Sequence, residues 1–168
     1  IKEFIRISET FAQEHVGDSV EKLRQNYNEM VKHFRKVRPP NVQVEDKKVA
    51  FKERSLIYRQ YSKGSDNKSD LIYFHGGGFV VGGLESHDDI CAEICESTGC
   101  NVFSLDYSLA PEVKYPEFFL DAIRFYYFIK NPERPLILVG DSAGGTLAGF
   151  VANKVRNVSI RPEAQVLI

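Results

Sequence analysis

The segment Gly140-Asp141-Ser142-Ala143-Gly144-Gly145 limits what this chain can fold into more than any other. Residues 136–139 before it form a short apolar run of the kind that makes a buried strand, and residues 146–155 after it carry a helical pattern. A chain passing from strand to helix this abruptly must bend sharply, and a serine at the centre of the bend is lifted above the sheet in a strained conformation. Side chains at 140 and 144 would collide with the neighbouring elements, so both positions call for glycine. Ser142 also opens a helix over 142–155, whose first N–H groups favour a developing anion. A G-x-S-x-G pattern arises often by chance as a plain turn. The flanking strand, the flanking helix and the additional Gly145 favour Ser142 as a nucleophile. Asp141, adjacent to it, points elsewhere and reads as structural.

The rest of the chain supplies a matching framework. Residues 71–74, 102–105 and 164–168 are further short apolar runs. Between them lie helical patterns at 86–97, with Ser86 as cap, Asp89 as its partner and Gly99 as stop, and at 118–130. Strands alternating with helices predict a mainly parallel sheet. Residues 1–38 read as two helical pieces, the second carrying Val20, Leu23, Tyr27, Met30, Val31 and Phe34 at helical spacing, with Asp18 and Glu21 as a capping box. Pro39-Pro40 closes that region. Residues 41–51 and 55–61 alternate like antiparallel strands and extend one edge of the sheet, and 63–69 is a turn.

Composition narrows the class. With 43% apolar residues the chain can bury a core, and a formal net charge of −1 without long single-sign blocks gives no support for nucleic-acid binding. The locally basic stretch 32–38 reads as a solvated helix end in preference to a contact for an acidic partner. Cys91, Cys95 and Cys100 are an odd number with no disulfide framework, which favours a reducing compartment. No signal-peptide pattern and no apolar run near about 18 residues is seen, so membrane insertion is not expected and a cytoplasmic location is.

Residues 71–74 end at His75-Gly76-Gly77-Gly78-Phe79. Consecutive glycines after a strand let the backbone present N–H groups to a site. Gly77 and Gly78, joined by Ala143, are the candidate donors to the oxyanion of an acyl-transfer intermediate, each such donor being worth about 3–4 kcal/mol elsewhere. A phosphate cradle fits poorly, since no Gly-Lys-Ser/Thr follows. His75 reads as a support that fixes the glycine loop, not as a base. His87 either faces the pocket or serves as a cap or surface residue. His87, Cys91 and Cys95 as metal ligands are disfavoured, because the cysteines share a stripe with Ile90 and Ile94; no metal or cofactor is expected.

Taken together, His75-Gly76-Gly77-Gly78-Phe79, Asp106-Tyr107-Ser108-Leu109-Ala110-Pro111-Glu112 and Gly140–Gly145 resemble the hormone-sensitive-lipase-like group of α/β-hydrolases over roughly residues 40–168. The resemblance implies an α/β-hydrolase fold: a mostly parallel sheet with antiparallel edge strands, the N-terminal part of that core at 39–168, and a helical cap at 1–38. It implies hydrolysis of carboxylic esters of short or medium acyl chain through a Ser142 acyl-enzyme, with Gly76, Asp106, Gly140 and Gly144 supporting the loops. Edge strands commonly pair in such proteins, which leaves a homodimer open. Two departures stand out. Members usually carry arginine where this chain has Ser108, leaving the ion pairing around Asp106 and Glu112 open. Triad partners follow the serine in this fold, yet only 26 residues follow Ser142 and none is histidine; His15, His33, His75 and His87 all precede it. The expectation is therefore a chain lacking the C-terminal part, with triad acid and histidine beyond Ile168, poor turnover alone and an exposed edge at 164–168. A receptor of the same fold that binds a small molecule without turnover is the alternative, and amide hydrolysis by the same machinery stays open.

Overall fold

The computed structural model describes residues 2–13, 19–64, 67 and 69–168, the side chains at 4 and 11–13 excepted. Two helices come first, α1 (Lys2–Gln13) and α2 (Val20–Lys32). Asp18 lies outside the described residues, and Ser19 is the cap of α2, its hydroxyl accepting the Lys22 N–H at 3.3 Å. The chain then forms β1 (Gln43–Ala50), β2 (Ser55–Ser62), β3 (Asp70–Phe74), α3 (Asp88–Thr98), β4 (Asn101–Asp106), α4 (Glu117–Ile129), β5 (Leu136–Gly140), α5 (Ala143–Lys154) and β6 (Ala164–Leu167).

The strands make one sheet in the order β1-β2-β4-β3-β5-β6. β3 pairs in parallel with β4 and β5, β5 in parallel with β6, and β1 and β2 are antiparallel. All five residues of β3 are buried because helices cover both faces. Ile72 and Phe74 face Phe118, Phe125, Leu147 and Val151 of α4 and α5, while Leu71 and Tyr73 face Cys91, Ala92 and Cys95 of α3. Both cysteines thus serve as small apolar groups in the core. β6 is exposed along its whole length at the sheet edge, as Val166 and Leu167 show.

The basic stretch at 32–38 is largely exposed, as the sequence suggested, but two of its arginines also reach inward. Arg35 and Arg38 reach the fully buried Asp88 at 2.8 and 2.5 Å, and the Lys36 N–H donates to Asp89 at 2.8 Å. Arg59 and the Tyr61 hydroxyl complete the shell of Asp88 at 2.8 and 3.0 Å. Burial alone would raise that carboxyl, but the hydrogen bonds from Arg38, Arg35, Arg59 and Tyr61 outweigh it and hold it at about 2. The acidic partner of the basic stretch is internal, and it seats the N-terminal segment on the sheet.

Candidate functional site

Phe74 pairs with both Leu105 and Gly140, so the loops leaving β3, β4 and β5 emerge side by side at the carboxyl ends of the parallel strands. Crevices for ligands in open α/β sheets form at that end. Ser142 is exposed there at φ 52° and ψ −116°, between β5 and α5. Such a conformation costs a non-glycine residue about 1–3 kcal/mol and persists only when its surroundings enforce it. The surroundings are visible. The Ser142 N–H donates to the Ile168 carbonyl at 2.8 Å, the Ile168 N–H to the Gly140 carbonyl at 3.1 Å, and the Gly144 N–H to the Asp141 carbonyl at 2.8 Å. A Cβ on Gly140 would lie 2.3 Å from the Gly144 carbonyl, and one on Gly144 1.9 Å from the Phe74 carbonyl oxygen. Glycine at both positions is what lets the bend close against β3.

The glycine loop lies against the same bend. The Gly76 N–H donates to Asp141 Oδ1 at 2.9 Å, and a Cβ on Gly76 would meet Asp141 Oδ2 at 2.0 Å. Gly77, at φ 119°, turns the chain so that its carbonyl accepts the N–H groups of Val80 and Val81 at 3.0 and 2.9 Å. Among the described residues the Gly77 and Gly78 amides donate to no other group. Ala143 opens α5, so its amide has no acceptor within the helix.

Asp141 is the hinge between the two loops. Its Oδ1 also accepts the Tyr73 hydroxyl at 2.8 Å, and its Oδ2 lies 3.4 Å from His87 Nε2. Burial pushes its carboxyl up, but the contacts from His87, Tyr73 and the Gly76 N–H prevail and leave it below the ordinary aspartate value. His87 is buried, with Nδ1 at 2.8 Å from the Ser86 hydroxyl, so it is neither a surface residue nor a side-chain cap. Ser86 does not cap α3 either. Its hydroxyl accepts the Gly83 N–H at 2.9 Å and donates to the Gly83 carbonyl at 3.0 Å, while Asp89 is occupied by Lys36.

His75 lies where β3 gives way to the glycine loop. It is fully buried and stacks on Tyr107 with ring centroids 4.2 Å apart, and the Tyr107 hydroxyl donates to its carbonyl at 2.8 Å. Its Nδ1 is 2.8 Å from the Gly76 carbonyl, which can only accept, so Nδ1 carries the proton. Burial lowers the ring to about 4, which leaves it neutral at pH 7. Among the described residues no imidazole or carboxylate side chain is bonded to the Ser142 hydroxyl.

Asp106 does not join the loop supports. Its carboxylate makes no hydrogen bond among the described residues and stands near Gly83, where a Cβ would lie 3.4 Å from Oδ1. Its carboxyl is raised by burial. The ion pairing left open by Ser108 is filled from elsewhere. Arg54, from the β1–β2 turn, donates to the Ser108 hydroxyl at 2.9 Å and pairs with Asp121 at 2.8 Å and with Glu117, while Glu112 is held by Arg24 of α2 at 2.6 Å. Sequence reading overlooked Arg24, Arg54, Tyr73 and Tyr107. Only a tyrosine inside the buried run 71–74 hinted that a polar group was needed there.

A family model described as alpha/beta hydrolase fold matches residues 71–168. The chain belongs to the hormone-sensitive-lipase-like α/β-hydrolases. It is 36% identical over 109 residues to "Lipase 2" of Moraxella sp. (strain TA144), covering 58% of this chain and 25% of that protein. It is 36% identical over 107 residues to "Ethyl acetate hydrolase" of Pseudomonas putida, covering 58% and 34%. The solved esterase of Pyrobaculum calidifontis superposes with a TM-score of 0.84 at 27% identity, covering 94% of this chain and 55% of that one. This α/β-hydrolase chain thus spans a quarter to a third of those curated relatives and just over half of that solved structure. Among its described residues no group of three metal-ligating side chains converges, and no helix is long and apolar enough to cross a membrane.

Proposed function

We propose that this chain carries the nucleophile and the oxyanion hole of a serine carboxylic ester hydrolase. The observation that carries the reading is Ser142, exposed at positive φ in a bend that Asp141 ties to the glycine loop. In the proposed reaction Ser142 Oγ attacks the ester carbonyl and its proton passes to an imidazole. The amides of Gly77, Gly78 and Ala143 meet the negative charge that develops on the carbonyl oxygen. Collapse expels the alcohol and leaves an acyl-serine, which water hydrolyses by the same route in reverse. The base in this reading is a histidine oriented by a carboxylate, contributed from outside the described residues; the matched relatives extend well beyond the stretch they share with this chain. Esters of short or medium acyl chains are the proposed substrates, in keeping with the ethyl acetate hydrolase among the relatives. The helices α1 and α2 form the cap that screens the site.

The test uses a fluorophosphonate probe and p-nitrophenyl esters on the product of the whole gene. Labelling at Ser142 and ester turnover are expected, and Ser142→Ala abolishes both. Turnover that survives Ser142→Ala refutes the assignment.

A further inference from the structure

Arg24 sits on α2, 56 residues from Val80 and 86 from Ala110, yet its guanidinium is spent on the loops around Ser142. Nε donates to the Val80 carbonyl at 2.8 Å and Nη2 to the Ala110 carbonyl at 3.0 Å. Nη1 and Nη2 grip the two oxygens of Glu112 at 2.6 and 2.7 Å. The carbonyl partners matter most. The Val80 N–H donates back to the Gly77 carbonyl, and the Ala110 N–H donates to the Phe79 carbonyl at 2.8 Å. Both carbonyls that Arg24 holds therefore belong to residues that close the turn bearing the Gly77 and Gly78 amides. Asp141 fixes the start of that turn through the Gly76 N–H, and Arg24 fixes its end.

The chemistry of the pair says what it is for. Glu112 and Arg24 are both partly open to water, with side-chain exposures of 56% and 27%, so their mutual attraction contributes little to stability. A bidentate carboxylate does, however, set the plane of the guanidinium, which aims the remaining N–H groups at the two carbonyls. Lysine has no such fork and cannot make this three-way contact.

On the reading of Gly77 and Gly78 as oxyanion donors, we propose that Arg24 is a positioning residue that couples the seating of α2 to the geometry of those amides. The cap helix then does more than screen the site. With α2 seated, the glycine turn is held at both ends, and with α2 lifted its far end is free.

Hydrogen exchange and kinetics test this together on the protein, Arg24→Ala, Arg24→Lys and Glu112→Gln. The hydrogen-bonded amides of Gly76, Val80 and Val81 should exchange at least about tenfold faster in Arg24→Ala, since hydrogen bonds to charged groups are worth more than one decade in an equilibrium constant. The β3 amides should be unmoved. Arg24→Lys should fail to restore protection, and Glu112→Gln should fall between. In the whole gene product, kcat for p-nitrophenyl acetate should drop about tenfold in Arg24→Ala with KM within about twofold, as expected when donors to the transition state are misplaced. Unchanged exchange at Gly76, Val80 and Val81, or a raised KM with kcat kept, overturns the proposal and leaves Arg24 as an anchor of the helix alone. Glu112→Gln carries the test if Arg24→Ala does not fold. Wild-type protein that neither labels at Ser142 nor turns over esters would refute the hydrolase reading, while the exchange comparison still decides the coupling.

Discussion

Two glycines of α5 make a matched pair with opposite predicted outcomes. Gly144 lies where the helix meets the end of β3: a Cβ there would sit 1.9 Å from the Phe74 oxygen, 2.5 Å from the Phe74 carbonyl carbon and 2.7 Å from the His75 oxygen. All three are backbone atoms of the central strand and the residue after it, so no rotamer change relieves the contact. Helix or strand must retreat by more than an ångström, which loosens Leu147, Ala148 and Val151 from the sheet. Overpacking costs typically about 1–3 kcal/mol and occasionally more, and a clash with fixed backbone belongs at the upper end, about 3 kcal/mol. Gly149 is one and a half turns further on, and a Cβ there meets nothing within 4 Å. Gly149→Ala should stabilise by about 0.5–1 kcal/mol through helix propensity and a less flexible unfolded chain. For a chain of this size about 1 kcal/mol moves Tm by roughly 2–4 °C, so Gly144→Ala should fall by about 6–12 °C and Gly149→Ala should rise slightly. Urea unfolding followed by circular dichroism at 25 °C, with unchanged m, gives the free energies directly. A Gly144→Ala protein as stable as wild type, or a Gly149→Ala protein that loses more, would refute the packing argument.

Acid should weaken the protein through Asp88. Its folded carboxyl, at about 2, lies below the ordinary unfolded value of about 3.9, so the unfolded chain takes up the proton first. The stabilisation is complete above about pH 4 and is lost as pH falls toward 2; Asp88→Asn should flatten the urea midpoint across that window, and an unchanged slope contradicts the ion cluster described above. Thiol reactivity should be ordered as well. Cys91 and Cys95 are fully buried, with burial pushing the Cys91 thiol far up and Cys95 up to about 11, whereas Cys100 is partly exposed. Iodoacetamide on the native protein, read by mass spectrometry, should modify Cys100 more than about tenfold faster than either; equal rates would place Cys91 and Cys95 outside the core.

What the sequence settled by itself was the order of strands, helices and tight bends. Short apolar runs bounded by turns had to be strands, helical spacing between them had to give crossovers, and Gly140 and Gly144 around Ser142 announced a tight bend, although the run at 164–168 is an exposed edge and not a buried strand. The glycine loop was equally legible, because glycines in a row leave backbone amides with no side chains around them. What only the tertiary structure decided were the partners that polar side chains take. Ser86 and Asp89 looked like a helix cap, yet Gly83 and Lys36 occupy them; Asp106 looked like a loop support, yet its carboxylate is unbonded among the described residues. Arg35 and Arg38 converge on Asp88, and Arg24 reaches Val80, Ala110 and Glu112, only once the sheet is assembled. The physical reason is reach. Backbone periodicity is written into each segment by its own residues, whereas a charged side chain takes whichever partner the packed core brings within about 3 Å, and that choice is made by packing and not by neighbours in sequence.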